Sequence, residues 1–353
     1  MTDGDVPHKR RVRYRGTHPR GFGEKYKELN PTLFASDAQK VMERGQTPAG
    51  THRPICVKLI LEILAPKPGD MGVDATLGFG GHAREILPLI APGGRLYGLD
   101  VDPVELPRTE QRLRLMGYSE RELAVRRMNF SGIDKLLAEA GKGFDFVLAD
   151  LGVSSMQIDN PARGFTFKAE GPLDLRLDPG HGQSAEALLK ASTQGELAML
   201  LYENADEPHA EDIAQAVIMR RGKISTTLDL ADAVRFALKG LPNAIRDDET
   251  KAALQRTFQA LRIAVNDEFA ALDRLLALLP ACLGPGGRVA ILSFHSGEDR
   301  RVKKSFRALA REGVYADIAP DPIRPSSEER RANPRSSSAK LRWAIRAMKS
   351  KEP

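Results

Sequence analysis

Asp74 closes a short apolar run and leads through Ala-Thr-Leu into Gly78-Phe79-Gly80-Gly81-His82, an acid at a strand end followed by a glycine turn into a helix. Glycines at such a turn let the backbone come close to a ligand, and the helix N-terminus presents unpaired N–H groups. The next predicted strand also ends in an acid, Asp100, 26 positions on (100 minus 74). Doubly wound folds place a carboxylate there, against ribose hydroxyls. These residues read as a nucleoside-cofactor site, and two versions of it stay open. Gly78, Gly80 and Ala83 fit the Gly-x-Gly-x-x-Gly/Ala fingerprint of a dinucleotide fold, which would make the chain a nicotinamide-dependent oxidoreductase. The acid four residues before Gly78 favours instead a cofactor without a pyrophosphate, such as a methyl donor with an adenosine and an amino-acid end. The catalytic residues expected beside a nicotinamide are not evident.

Histidines are the other candidates for proton or metal chemistry. His82 follows two glycines at a helix start, a place that shapes a pocket more than it supplies a base. His295 follows an apolar strand at the expected ligand edge, where it meets RNA or bonds a loop carbonyl. His52 and His209 are too isolated for a metal cluster, and no metal is expected. Cys56 and Cys282 lie far apart in apolar segments, which excludes a disulfide framework and a cysteine-rich zinc site.

Those residues need a frame to hold them. Short apolar strands at 72–76, 95–100, 124–128 and 144–150 alternate with helical stretches, which predicts a parallel sheet covered by helices. The pattern begins after Ile55, Leu59 and Ile63, one face of a helix stopped by Pro66-Lys-Pro-Gly69. From about 160 to 250 the strand signal disappears, and spacings such as Leu197/Leu201 and Ile213/Val217 predict helices. A helix through 258–265 and a strand at 288–294, after Pro285-Gly-Gly, resume the alternation, and 341–345 is expected as a final edge strand. The chain thus divides into a basic arm (1–50), the first part of an α/β domain (51–158), an inserted helical domain (159–250) and the second part of the α/β domain with a basic C-terminus (251–353).

With 353 residues, 41% of them hydrophobic and 28% charged, the chain can bury a real core. No apolar run approaches the roughly 20 residues of a membrane span, and Thr2 to Asp5 lack the basic-then-apolar pattern of a secretory signal. A cytoplasmic protein with no membrane partner is expected. The net charge of +6 is modest, but both ends are basic: Lys9, Arg10, Arg11, Arg13, Arg15 and Arg20 at one, and Arg324, Arg330, Arg331, Arg335, Lys340, Arg342, Arg346, Lys349 and Lys351 at the other. Such ends suit a polyanion.

The motifs together resemble one family, the bacterial 16S rRNA cytosine-N4 methyltransferases of the MraW type. The resemblance lies in His52-Arg-Pro-Ile55, Val73–His82, Gly98-Leu-Asp-Val-Asp-Pro103, Asn129-Phe130, Ala149-Asp-Leu-Gly-Val-Ser-Ser155 with Gln157, Arg163-Gly-Phe-Thr-Phe167 and Gly171–Asp178. It continues in Arg256–Ile263 with Asn266, Ser293-Phe-His-Ser296 with Glu298-Asp-Arg300, and Asn333-Pro-Arg335 with Ser338–Leu341, so that it covers about 52 to 343. It implies a class I S-adenosylmethionine-dependent methyltransferase, a Rossmann-like α/β fold of seven strands with an inserted helical domain. The substrate it implies is a cytosine amine in the decoding region of 16S rRNA, within the 30S subunit.

Carried over position by position, the cofactor contacts are Gly80, Gly81, His82, Asp100, Phe130, Asp150 and Gln157. Asp100 would accept from the ribose hydroxyls, Phe130 would lie against the adenine, and Asp150 and Gln157 would border the reacting centre. Asp150 is then the expected catalytic residue, orienting the amine or accepting its proton, assisted by Ser154 or Ser155; the alternative is a carboxylate that serves the cofactor alone. Arg163, Arg176, Arg256 and Arg262 are expected to meet phosphates or to form ion pairs, Arg262 sharing a helix face with Asn266. Tyr14 beside Arg13 and Arg15, and Trp343 beside Arg342, could stack on RNA. The sequence departs from the family in having Ala252-Ala-Leu254 for the usual His-Pro-Ala, Met156 for the proline after the paired serines, and a longer basic N-terminal arm. A non-catalytic RNA-binding assembly factor that keeps the fold is the second reading.

Overall fold

The computed structural model describes residues 54–239 and 247–348. The basic arm, with Tyr14, and His52 lie outside the described residues. The first helix, α1 (Val57–Leu64), ends at Ala65, whose left-handed backbone precedes Pro66. Its deeply buried stripe is Cys56, Ile60 and Leu64, one position on from the expected Ile55, Leu59 and Ile63, which are only partly buried against the same core. One residue is about 100° of helix, so a shift of one still leaves both rows on the core side.

The α/β alternation then runs β1 (Met71–Asp74), α2 (Gly81–Ile90), β2 (Arg95–Asp100), α3 (Glu105–Leu115), β3 (Leu123–Arg127), a 3-10 turn (Phe130–Lys135), α4 (Leu136–Ala140) and β4 (Phe144–Asp150). After β4 come α5 (Ser155–Asp159) and then α6 (Ala185–Ala191), α7 (Gln194–Ala205), α8 (Ala210–Arg220), α9 (Thr227–Lys239), α10 (Asp247–Val265) and α11 (Glu268–Cys282). The sheet resumes with β5 (Leu283–Ser293), α12 (Ser296–Arg311), β6 (Tyr315–Ile318), α13 (Ser327–Ala332) and β7 (Lys340–Arg346).

The seven strands lie in the order β3-β2-β1-β4-β5-β7-β6. The first five are parallel to one another, and β7 pairs antiparallel with both β5 and β6. This is the α/β, Rossmann-like class I architecture expected from the resemblance. Two expectations are corrected. β7 is interior, because Ala290 pairs with Trp343 on one side and Ile318 with Ala344 on the other; β6, unread in the sequence, is the edge. β5 also begins earlier, at Leu283 opposite Phe144, with the Pro285-Gly-Gly segment bulging out before Arg288 pairs with Phe146.

Side chains alternate across the sheet with the period of two that strands impose. Val73, Tyr97, Leu99, Val147, Ala149, Val289 and Ile291 pack on one face with Leu272, Leu275 and Leu279 of α11 and Val302 and Phe306 of α12. Leu96, Phe146, Leu148, Ala290 and Leu292 pack on the other with residues of α1, α2 and α3. A separate core joins α6 to α10, including the Leu197/Leu201 and Ile213/Val217 pairs. α7 is set by a capping box in which Thr193 and Glu196 satisfy each other's backbone N–H. A boundary at residue 250 falls inside α10, whose Ala253, Leu254, Phe258, Ala260 and Leu261 belong to this helical core. Among the described residues, no helix is long and apolar enough to cross a membrane.

Candidate active site

The parallel strands end along one edge, where β1 delivers Asp74, β2 delivers Asp100 and β4 delivers Asp150. Between β1 and α2 the backbone turns twice through the left-handed region, at Gly78 (φ 49°) and Gly80 (φ 74°), which favours glycine. Space demands it too: a Cβ on Gly80 would stand 3.0 Å from Thr109 Cγ2, and one on Gly81 would stand 3.1 Å from Pro54 Cγ. Thr109 Oγ1 donates to Gly78 O at 2.6 Å, and Gly78 N donates to Asp100 Oδ2 at 2.8 Å. Among the described residues, no side chain caps the N-terminus of α2, and its first turn holds no acid.

The three acids differ in surroundings. Asp74 is 1% exposed, and burial lifts its pKa to about 6 against the pull of His82 and of the Thr76 N–H. Asp100 accepts from Gly78 N and from Asp102 N, and burial still raises its pKa. The Asp150 side chain is 27% exposed, faces His82 with Oδ2 3.4 Å from Nε2, and has its own N–H bonded to Thr76 Oγ1 at 2.7 Å. Burial works against a charged His82, but hydrogen bonding and charge from Asp150, with Asp74 behind, raise its pKa above the ordinary value. The site therefore holds buried, charge-coupled groups at the back and one open carboxylate at the front.

Ser154 and Gln157 are brought to the same edge by α5. Ser154 Oγ accepts from Gln157 N at 3.2 Å, and Gln157 Oε1 accepts from Ser154 N at 2.9 Å, a reciprocal cap on the helix. Gln157 Nε2 donates to Asp102 Oδ2 at 2.9 Å. Asp102 is 1% exposed and also accepts from Arg163 Nη1 at 2.7 Å; burial would raise its pKa, but these two partners hold it below the ordinary value. Arg163 continues to Leu177 O at 2.8 Å, tying the edge of the sheet to the segment that leads into the helices. Phe130, half-buried, begins the 3-10 turn after β3, with Asn129 Oδ1 capping that turn. Asp102 and Thr76 are further residues of this edge; they lie within the Gly98–Pro103 and Val73–His82 motifs, but the partners that bring them here, Gln157 and Arg163 for Asp102 and Asp150 for Thr76, are not local in sequence.

Cys56, just before α1, is the neighbour on the other side. Burial pushes its thiol up to about 12, with the carboxylates of Glu329 and Asp150 adding to the effect, and its N–H donates to Glu329 Oε1 at 2.7 Å. Beyond this edge the arginines take the ion-pair alternative, and the expectations for two histidines change. Arg163, Arg176, Arg256 and Arg262 are each bound to a carboxylate: Asp102, Asp174, Glu207 with Glu249, and Glu268 respectively. Asn266 Nδ2 donates to Arg262 O and to Leu175 O, each at 2.8 Å, while its Oδ1 accepts from Leu177 N at 2.7 Å. Nor is His209 isolated: ligand atoms of Glu207, His209 and Glu249 lie within 4.8 Å of one another, as do those of Glu268, His295 and Glu298. In each set a guanidinium, Arg256 or Arg262, already neutralises carboxylates that a metal would use. His295 lies 3.1 Å from Glu298 Oε1 rather than on a loop carbonyl.

A glycine cradle between strand-end acids, on a sheet whose last strand runs against the rest, defines a nucleoside-cofactor domain of the class I methyltransferase type. The chain belongs to the MraW methylase family, whose model matches residues 49–347. It is 57% identical over 350 residues to ribosomal RNA small subunit methyltransferase H 2 of Alkaliphilus metalliredigens, covering 98% of this chain and 100% of the relative. It is 53% identical over 350 residues to ribosomal RNA small subunit methyltransferase H 1 of Lachnoclostridium phytofermentans, covering 98% and 95% respectively. A third relative, ribosomal RNA small subunit methyltransferase H 1 of Agathobacter rectalis, is 50% identical over 343 residues, covering 96% of this chain and 98% of that one. The long N-terminal arm is therefore shared with these relatives.

Proposed function

We propose that the chain transfers a methyl group from S-adenosyl-L-methionine to the exocyclic N4 amine of a cytosine in small-subunit ribosomal RNA, in the assembled 30S subunit. The observation that carries this reading is Asp150 standing open beside a side-chain-free glycine cradle, at the end of the strand next to β1, in a chain of the MraW family. The residues suit the donor. Gly80 and Gly81 leave backbone for it to approach, Asp100 keeps lone pairs for ribose hydroxyls, and Phe130 offers an apolar surface to an adenine. When bound, the donor supplies a methyl group already activated on a sulfonium.

A cytosine amine is a weak nucleophile, because its lone pair is delocalised into the ring. It must be aligned, and it must lose a proton as its bond to carbon forms. Asp150 is the group placed to do both: it accepts the amine's hydrogen bond, then its proton, and gives that proton to water. His82 and Thr76 hold Asp150 from behind. Ser154 caps α5 and keeps its hydroxyl hydrogen for a ligand oxygen, while Gln157 is fixed by Asp102 at the border of the site. On this reading, the helical insertion that borders the RNA runs from residue 159 into α10, past the expected end at 250, and the enzyme acts in the cytoplasm.

The test is tritiated methyl transfer to naked rRNA, 30S and 70S particles, followed by mass mapping of the product. The 30S particle is expected to be preferred and the label to fall on a cytosine N4. Asp150→Ala is expected to lower kcat by roughly 100-fold or more while calorimetric S-adenosylmethionine affinity stays within a few-fold. Donor binding without transfer to any rRNA would favour a non-catalytic assembly factor, and binding of NAD instead would favour the oxidoreductase.

A further inference from the structure

Arg163, Arg176, Arg256 and Arg262, the arginines that the sequence offered from the insertion and its flanks to an RNA backbone, are each paired with a carboxylate inside the protein. Cations without an internal partner stand out in the segment between β6 and β7. α13 is capped by Ser326, whose Oγ accepts from Glu329 N at 3.1 Å, and Glu329 then reaches out to take the Cys56 N–H at 2.7 Å. Cys56 lies two residues from Pro54, which covers Gly81 of the cofactor loop. Further on, Arg335 Nη2 binds Asp159 Oδ1 at 2.7 Å, at the last residue of α5. The segment is thus tied at two points to elements that border the open carboxylate.

Between the ties, Arg330 and Arg331 are both exposed and form no ion pair or side-chain hydrogen bond among the described residues. Arg324, also exposed, has among the described residues only a long contact of 3.5 Å to Ser338 O. The segment 324–335 carries four arginines against Glu328 and Glu329, and Glu329 is the one engaged with the backbone of Cys56. The local balance is therefore cationic at a cleft whose own acids would repel a phosphate. Polyanion binding needs cations that have not been neutralised, held in fixed register with the site of chemistry.

We propose that Arg330 and Arg331 hold consecutive phosphates of the RNA strand that presents the target base, with Glu329 and Arg335 as the ties that set them at the cleft. The inference rests on the reading of the chain as an rRNA methyltransferase. It places the RNA backbone on the α13 side of the cofactor edge.

The test pairs Arg330→Ala/Arg331→Ala with a control of equal charge, Lys303→Ala/Lys304→Ala on α12, in the full-length protein. Binding of a small-subunit rRNA transcript is measured across a salt series, and methyl transfer to 30S is measured with rRNA varied. The arginine pair is expected to weaken binding and raise KM for rRNA about tenfold. Its salt slope should fall by about 1.4, for two single-strand phosphates, with kcat at saturating rRNA within twofold and unchanged S-adenosylmethionine affinity. The lysine pair is expected to leave both slope and KM near wild type. Equal effects from the two pairs, or a wild-type salt slope in the arginine pair, would overturn the inference. If the wild-type protein binds the donor but methylates no rRNA, the functional reading fails, and the salt slopes still decide whether these arginines meet phosphates.

Discussion

The cofactor edge and the helical lobe use charge in opposite ways. At the edge, Asp100 and Asp150 have no arginine or lysine partner among the described residues: Asp100 holds backbone N–H groups and Asp150 faces a histidine. In the lobe and its flanks, arginines and carboxylates are paired with one another, from Arg163 with Asp102 to Arg256 with Glu207. Charge already paired inside the fold contributes to shape, whereas charge left open is what a ligand meets. The contrast separates residues that build the enzyme from residues that work in it.

The lobe should fail first by unfolding. Glu207 is fully buried, and Arg256, with Nε 2.8 Å from it, is its counter-ion while also binding Glu249. Removing one member of a buried pair leaves the other charge uncompensated, so Arg256→Ala is expected to destabilise the protein by about 3 kcal/mol. Urea denaturation would register the loss as a lower midpoint. Below the new melting temperature, KM for rRNA should hold to within about twofold. A stable variant with a large rise in KM would place Arg256 on the RNA and break the comparison.

The edge should show the reverse, function held at a cost in stability. Burial lifts the Asp74 pKa to about 6 from an ordinary 3.8. Between those values the native state binds the proton more tightly than the unfolded chain does. The Asp74 contribution to stability therefore falls as pH rises from about 4 to 6, and its full cost is present at neutral pH. Asp74→Asn retains an oxygen for Thr76 N, which Asp74 Oδ1 accepts at 3.2 Å, and removes the buried charge. It is expected to be more stable than wild type at pH 7.5 by about 1 to 3 kcal/mol, but not at pH 4, and less active, since His82 loses one of the carboxylates that raise its pKa. Equal melting-temperature differences at both pH values would mean that Asp74 is not charged in the native protein.

How far the sequence could be read follows the range of the contacts involved. The glycine cradle and the acids of β1 and β2 are local signals, set by a few adjacent residues; β2 ends at Asp100 as expected, whereas β1 ends at Asp74, two residues short of the expected 72–76. The fate of the arginines was hidden, because Arg163 finds Asp102 across 61 positions and Arg256 finds Glu207 across 49. β6, four residues with two of them exposed, carries too little alternation to be recognised. β7 was recognisable as a strand, but whether it lies at the edge depends on β6 finding it, which its own residues do not encode. His209 looked isolated for the same reason, since Glu249 comes to it from a different helix.

The smallest expected effect falls where edge and fold overlap, at Ser154. Its hydroxyl accepts the Gln157 N–H while Gln157 returns a bond to Ser154 N and holds Asp102, so the cap and the cofactor edge share one set of contacts. Ser154→Ala removes the acceptor for one N–H at the helix start, a change that typically costs about 1 kcal/mol. If capping is the main task of Ser154, kcat should fall less than tenfold, KM for S-adenosylmethionine should rise as Gln157 loosens, and Ser154→Asp, which also caps, should restore the melting temperature. If the hydroxyl instead assists Asp150 in the transfer, Ser154→Ala should lose kcat at least as severely as tenfold with donor affinity intact, and Ser154→Asp should recover stability without recovering activity. The split between kcat and melting temperature across these two variants therefore assigns Ser154 to one side of the comparison or the other.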